Sequence, residues 1–424
     1  MKKNDKQGGN RMRPCDEALK KIYGEGEECG IRFEYLSRKF TETFGNVRME
    51  FFSAPGRTEI VGNHTDHNGG KVLAASISMD TIGAAYPNHS ELIEIVSEGY
   101  GEKVVVDLEK LDTISPGTGV LPLTAGIAKA TKDLGYNISG FSAYISSNMI
   151  SSAGLSSSAS FEMLLCAMID HFFNNSSMDP VLYAKIGQYA ENKYWNKQSG
   201  LMDQMACAVG GTVLMDFQKD VSYERIDFDF ERMGEQLIIV NTGKGHADLS
   251  KEYSEVPQEM KEVASFFGEE RLCGISLEKI CQNLHELIKV LDCDRAILRA
   301  IHFFKENERV EEITAAIREK DDTAVKKIIF ESGKSSWELL QNCYVASSFR
   351  EQKISLCLAM TELFLKEIGD GCCRVHGGGF AGVIMCAVPV KYTEAYIRFM
   401  SGLAGRENIH LLKIRQEGAV HLEK

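Results

Sequence analysis

The sequence predicts an α+β protein of two halves, and three observations carry that prediction. Short β-like runs crowd residues 49–108, and strongly helical stretches follow them. A second strand group opens near residue 211, after which helical periodicity dominates from about 250 to 370. The regular strand–helix alternation of a doubly wound parallel sheet is missing. For 424 residues two domains are the expectation, with the division near residue 220.

Taken in order, residues 1–14 read as a mobile tail, and residues 15–45 as helix ending at FGN. MEFFSAP, RTEIVG, KVLAASIS, TIGAAY, LIEIVS and KVVVDL read as strands punctuated by Gly, Asn and Pro. LTAGIAKATKDLG is a helix stopped by Gly135, and GFSAYISS is a strand. FEMLLCAMIDHFF is strongly helical, as is DPVLYAKIGQYAENKYW, which carries Asp179 and Pro180 at its start. GTVLMDF and QLIIVNTG are strands. ISLEKICQNLHELIKVL and ERVEEITAAIREKD alternate apolar and charged faces as helices do. GGGFAGVIMCAVP returns to strand, and a helix near YTEAYIRFM and a strand near IHLLKIR close the chain.

Hydrophobic residues make up 44% and charged residues 25%, as in an ordinary soluble globular protein, which this length can stabilise without staples. The net charge of -12 argues against a nucleic-acid-binding or anionic-membrane surface. An anionic ligand would need local help from a helix N-terminus, a few basic side chains or a metal ion. The twelve cysteines form no C-x-x-C pair, and many sit in apolar runs, so buried reduced thiols are expected. The basic N-terminus lacks the apolar stretch of a secretory signal, and no run reaches the ~18 apolar residues of a membrane span. A soluble, cytoplasmic protein is expected, as a monomer or weak homodimer.

SSNMISSAGLSSSAS, residues 146–160, holds eight serines in fifteen positions. A linker would be polar on both sides. Here alternating Phe141, Ala143 and Ile145 lead in, and Phe161, Leu164, Leu165, Met168 and Phe172 lead out. The segment is therefore a strand-to-helix loop ending at a helix N-terminus, where free amides and the helix dipole favour phosphate. Gly154 would let backbone approach a ligand, and Ser156, Ser157 and Ser158 could donate hydrogen bonds or ligate Mg²⁺. It is not a Walker A loop, for no Lys follows the glycine. A serine-capped helix without ligand is the alternative on these residues alone.

GLSSSAS after a strand resembles the phosphate loop of the GHMP small-molecule kinases. SAPGRTEIVGNHTDHNGG, residues 53–70, is similar to the sugar signature of the galactokinase branch. AENKYWNKQSGLMDQMACAVG looks like that branch's catalytic segment, and VHGGGFAGVIM, residues 375–385, resembles the glycine-rich third motif. The likeness runs from about residue 32 to the C-terminus. It implies an N-terminal GHMP kinase domain over 32–220, like domain 2 of ribosomal protein S5, and a ferredoxin-like α+β C-terminal domain over 221–424. Residues 1–31 are left as tail and start of the first helix.

The reaction the resemblance implies is transfer of the γ-phosphoryl group of ATP to the anomeric hydroxyl of galactose, with Mg²⁺. Such transfer needs positioning and charge neutralisation more than covalent help. Asp203 matches the catalytic aspartate and Arg57 the arginine facing it, which would keep that carboxylate ionised. Ser152, Gly154, Leu155, Ser156, Ser157 and Ser158 match the phosphate loop. Ser157 and Glu191 match the metal-binding pair, although Glu191 read alone is a solvated helix carboxylate. Asn63, His64, Asp66, Gly200 and Tyr253 match the sugar-binding set. HTDH read alone could also hold a metal, but its spacing lacks the i, i+4 pattern of H-E-x-x-H.

The match breaks at two places that trade residues. The branch usually reads R-x-N-x-I-G-E-H-x-D-Y; here Glu59 stands where Asn is usual and Asn63 where Glu is usual. His67 replaces Tyr, and Ala381 a usual Gly. Either the exchange is compensated and galactose remains the substrate, or the pocket takes another sugar such as galacturonate. A catalytically silent sugar- and ATP-sensing regulator is the reading outside the enzyme class.

Overall fold

The computed structural model of the chain describes residues 13–24, 27–150, 154–197, 199–243 and 249–423, so most of the expected tail lies outside it. The helical stretch near the N-terminus is two helices, α1 (Asp16–Tyr23) and α2 (Glu27–Phe44). Gly24 at φ 74° closes the first. The strand-like runs that follow are longer than their punctuation suggests. MEFFSAP and RTEIVG form one strand, β1 (Glu50–Val61), and KVLAASIS and TIGAAY form β2 (Lys71–Pro87). Their antiparallel register shifts between Pro55 and Arg57 and again between Glu59 and Val61. Such irregularities bend a strand and re-aim its side chains without ending it.

β3 (Leu92–Ser97), β4 (Val104–Asp107), α3 (Val120–Asp133), β5 (Phe141–Ser147), α4 (Ser157–Phe173) and α5 (Pro180–Tyr194) fall on the expected runs. α5 starts as its sequence dictates, with Asp179 accepting from the Val181 amide and Pro180 at a position that needs no donor. α6 (Met202–Val209) has no counterpart among the expected helices, being too short for periodicity to show. β6 (Thr212–Asp216) and β7 (Ser222–Ile226) follow, then β8 (Glu235–Asn241) and α7 (Ser250–Phe266). α8 (Leu277–Gln282), α9 (Leu284–Leu291), α10 (Asp294–Glu319), α11 (Asp322–Ser335) and α12 (Lys353–Ile368) make the helical stretch. β9 (Cys372–Val375), β10 (Val383–Pro389), α13 (Thr393–Ala404), β11 (Ile409–Leu412) and β12 (Val420–Leu422) complete the chain. The glycine-rich run is a turn before it is a strand: pairing begins at Val383.

Among the described residues the strands form two sheets. The eight-stranded one runs β12-β1-β2-β5-β3-β4, with β6 on β2 and β7 on β6; only β3 and β5 are parallel. The four-stranded antiparallel sheet runs β11-β8-β10-β9. Successive side chains of β1 go to opposite faces, as a pleat requires. Phe52 packs with Leu164 and Met168 of α4, while Phe51 packs with Phe33, Leu36 and Phe40 of α2. The far ends of β1 and β2 belong to a different core, where Ile60, Val61 and Leu73 meet Ile239, Met385 and Val310. β1 thus passes from one half of the molecule into the other. No helix among the described residues is long and apolar enough to cross a membrane.

A buried charge cluster ties the chain ends to β2. Asp80, fully buried, accepts from Tyr23 at 2.6 Å, Ser53 at 2.7 Å, Arg32 at 2.8 Å and Arg415 at 3.2 Å. Burial pushes this carboxyl up, but Arg32 and Arg415 outweigh it and hold it below its ordinary value. Asp80→Asn keeps the shape and removes the charge, leaving Arg415 buried without its counter-ion. Urea unfolding should show a loss of about 3 kcal/mol. A loss of only a few tenths would mean that the cluster contributes shape alone.

Candidate active site

Arg57 leaves β1 just past the first register shift and is 4% exposed. Its Nε donates to Asp203 Oδ1 at 2.7 Å, Nη1 donates to the Gly154 carbonyl, and its backbone amide donates to the Leu155 carbonyl at 3.3 Å. Asp203 stands in the first turn of α6, and its Oδ2 accepts from the Ser156 hydroxyl. Burial pushes the Asp203 carboxyl up. Arg57, Lys197 and the bonds from Arg57 and Ser156 overcome this and bring it to about 2. One side chain from β1 therefore joins the Ser-rich loop to the GLMDQ segment.

Gly154 (φ 68°) and Ser156 (φ 62°) bring the chain into α4 through left-handed conformations. No side chain caps α4, because the Ser156 hydroxyl is turned to Asp203. The first-turn amides of Ser157, Ser158 and Ala159 have no preceding helical carbonyl, which makes this end a site for an anion. Leu155 is buried and packs with Met149, anchoring the loop. Ser152 lies outside the described residues.

Glu191 of α5 is fully buried, and the hydroxyl on it is Ser158's, at 2.7 Å. Ser157, the serine expected at that carboxylate, is one residue earlier, where it opens α4. Lys197 Nζ reaches Glu191 Oε1 at 2.6 Å, and Gln204 Nε2 donates to Glu191 Oε2 and to Glu162 Oε2, both at 3.1 Å. Glu162 is fully buried, and burial followed by the Glu191 charge pushes it well above the usual carboxylate range. A hydroxyl and a carboxylate oxygen are hard donors suited to Mg²⁺.

The sugar-signature residues gather at Gly200 and at the glycine-rich turn. Gly200 lies so close to Asp66 that a Cβ there would come 1.7 Å from Asp66 Oδ2. The carbonyls of the three consecutive glycines in the third motif are each taken: Gly377 by Asn63 Nδ2 at 2.7 Å, Gly378 by His64 Nε2 at 3.0 Å, and Gly379 by the Tyr253 hydroxyl at 2.8 Å. Burial and the neighbouring His67 bring the His64 imidazole down to about 3, so it is neutral and its Nε2 carries the proton given to Gly378.

Asn63 is fully buried, and its polar atoms are engaged by protein. Its amide donates to Glu59 Oε1 at 3.0 Å and to Gly377, while its carbonyl accepts from Asn342 Nδ2 at 2.8 Å. Glu59 accepts in turn from Arg374 Nη2 at 2.7 Å. The exchanged residues are thus bonded to one another. A carboxylate at 63 could not donate to the Gly377 carbonyl, and it would face Glu59. Beneath them Glu306 accepts from the amides of Gly62 and Asn63 at 3.0 and 3.3 Å, and His302 bonds the Asn63 carbonyl at 2.9 Å. Burial pushes Glu306 up, but His302, Arg374, Arg309 and the Ser332 hydroxyl bring it to about 2. Lys197, Glu162, Gln204, Asn342, Arg374, His302 and Glu306 all escaped the motif reading. Only Lys197 and Gln204 lie inside a motif segment, where a closer look at its charges could have found them.

A family model described as the galactokinase galactose-binding signature matches residues 38–87, and one described as the GHMP kinases N-terminal domain matches residues 123–211. Over 316 residues the chain is 31% identical to a galactokinase of Clostridium tetani, spanning 72% of this chain and 78% of that protein. The chain belongs to the galactokinase family. A galactokinase of Lacticaseibacillus paracasei is 28% identical over 384 residues, 88% of this chain and 94% of its own. Lactococcus lactis galactokinase complexed with galactose superposes with a TM-score of 0.79 at 24% identity, over 92% of this chain and 100% of that one. Methanococcus jannaschii mevalonate kinase superposes with a TM-score of 0.61 at 16% identity, over 87% of this chain and 99% of its own. The fold is therefore the α+β GHMP kinase fold.

The bonded exchange yields a test. Asn63→Glu alone should cost about 3 kcal/mol in urea unfolding, since it sets two carboxylates together in a buried corner. The double variant Glu59→Asn/Asn63→Glu should recover more than half of that loss. Equal instability of the single and double variants would show that the charge at 59 does not dictate the residue at 63.

Proposed function

We propose that this chain is an ATP-dependent sugar 1-kinase that phosphorylates the anomeric hydroxyl of galactose to give galactose 1-phosphate. One observation carries the reading: Asp203 is held by Arg57 and Ser156 where the Asp66–Gly200 contact meets the phosphate loop. The sugar lies between the halves 32–220 and 221–424, with C1 toward Asp203 and its hydroxyls facing His64, Asp66, Gly200 and Tyr253. The ATP phosphates lie along Gly154–Ser158. Ser158 and Glu191 would hold Mg²⁺, which when bound would supply positive charge against the phosphates being parted. Ser157 faces the phosphates through its backbone amide.

Asp203 orients the sugar hydroxyl more than it deprotonates it. A carboxylate at about 2 is a weak base at neutral pH, and both its oxygens already accept a bond. Its side chain is 23% exposed, enough for a hydroxyl to reach. Arg57 keeps it ionised and adds positive charge beside the transferring phosphoryl. Asn63 positions Gly377 rather than touching the sugar. The galacturonate reading needs a cation facing C6, whereas Arg374, the guanidinium of this corner, is taken by Glu59 and the Ile60 carbonyl.

ADP release should be followed with Mg-ATP and galactose, galacturonate, glucose, arabinose or mevalonate. Turnover on galactose well above the others is expected. Turnover on another sugar in its place would reassign the substrate, and binding of ATP and galactose without turnover would make the protein a sensor. Asp203→Asn should lower kcat on galactose by roughly 10³-fold. Because the Asp203 carboxyl titrates near 2, kcat/KM should show no acid limb from it above about pH 4. An acid limb near pH 6 in the wild type that vanishes in Asp203→Asn would refute the orienting role.

A further inference from the structure

Lys197 is the residue at this site that the proposed reaction leaves without a task. Its ammonium lies 2.6 Å from Glu191 Oε1 and 3.4 Å from the Ser158 hydroxyl oxygen. Those are the two oxygens proposed to hold the metal, so a positive charge already stands on the metal's donors. The carboxylate end is fully buried, while the lysine side chain is 44% exposed and only its tip is committed. The segment bends back to make this contact: Asn196 is left-handed at φ 54°, and the Lys197 amide donates to the Glu191 carbonyl at 3.1 Å. Behind Glu191, Gln204 passes on to the carboxyl of the fully buried Glu162.

We propose that Lys197 is a built-in counter-ion for the metal-binding carboxylate. In the nucleotide-free protein it occupies Glu191 and keeps free divalent cations off it. When the metal arrives with its nucleotide, Lys197 yields Glu191 and moves its charge onto the phosphates, whose negative charge replaces the carboxylate's. A compact ammonium on a flexible stem suits such an exchange better than a guanidinium locked in a fork. The metal then enters mainly as the nucleotide complex. The inference rests on the assignment of Ser158 and Glu191 as metal donors.

The test is Mn²⁺ binding, read from the electron paramagnetic resonance of the free ion, with and without a non-hydrolysable ATP analogue. Wild type, Lys197→Met, Glu191→Gln and the double variant would be compared at equal thermal stability. Lys197→Met should bind Mn²⁺ without nucleotide at least 10-fold more tightly than wild type, and the double variant should lose that gain. Lys197→Met should also raise KM for Mg-ATP several-fold, and Lys197→Arg should restore exclusion of the free ion. Unchanged Mn²⁺ binding in Lys197→Met, with Glu191→Gln still weakening the Mn²⁺–nucleotide complex, would overturn the counter-ion role and leave the metal assignment standing. Full Mn²⁺–nucleotide binding in Glu191→Gln would overturn both.

Discussion

A guanidinium with almost no access to water has to be matched by acceptors, and Arg57 finds them in two segments remote from its own. Asp203 and the Gly154 carbonyl take its donors, while its main-chain amide holds Leu155. Breaking such a buried match is costly, which makes the three segments one rigid piece. The direction of the side chain comes from the register shift beside Pro55 and Arg57, so an irregularity in the first strand sets the geometry of the proposed phosphate and sugar sites. Ser156 adds a second link by giving its hydroxyl to Asp203 instead of to its own helix. The loop forgoes a cap, and the first turn of α4 stays open.

The corner around Asn63 obeys the same economy of donors and acceptors. Arg374 gives to Glu59, Asn342 gives to Asn63, and Asn63 gives to both Glu59 and Gly377. Each group is used in the only sense it allows, for a carboxylate accepts and an amide does both. Trading the two residue types keeps one amide and one carboxylate in contact while deciding which of them reaches Gly377. Position 63 is read more naturally through the glycine-rich turn it holds than through the sugar. That turn also accepts from His64 and Tyr253, so the placement of Asn63 and of two proposed sugar-side residues is a single coupled problem.

Much of this was legible in the sequence because it is local. The helix that opens at Asp179-Pro180 and the strand that precedes the Ser-rich loop each follow from a few adjacent residues; the close packing of Gly200, whose neighbour Asp66 is remote in sequence, came only through the resemblance. What escaped is long-range or irregular. Two bulged strands looked like four short ones because Pro55 and Gly56 resemble a turn until β2 is present to pair across them. β7 has a mostly exposed SYERI pattern and β12 is three residues long, so neither carries an apolar alternation. Arg374, Glu306 and His302 lie hundreds of residues from the corner they support, and nothing beside them in sequence marks their partners. Ser158 and Ser157 are adjacent and chemically identical; only the turn of the helix decides which hydroxyl meets Glu191.

The overall charge of -12 and a proposed substrate as anionic as ATP are reconciled by the same local arrangement. A folded acidic surface repels a polyanion at long range, but screening confines that repulsion to roughly 8–10 Å in physiological salt. Inside that distance the ligand would meet the open amides of α4, Arg57 and Lys197, with Glu162 pushed toward its neutral form by burial and by Glu191. Arg57 and Lys197 both pull down the titration of Asp203, and with Glu191 paired to Lys197 the two carboxylates and two cations form a balanced group before any substrate arrives. Such a group attracts phosphate only if one of its internal pairs can open. Arg57 is almost wholly buried and doubly bonded; Lys197 is half exposed and held at its tip. The part of the balance free to respond to a nucleotide is therefore the lysine, and the part that preserves geometry is the arginine.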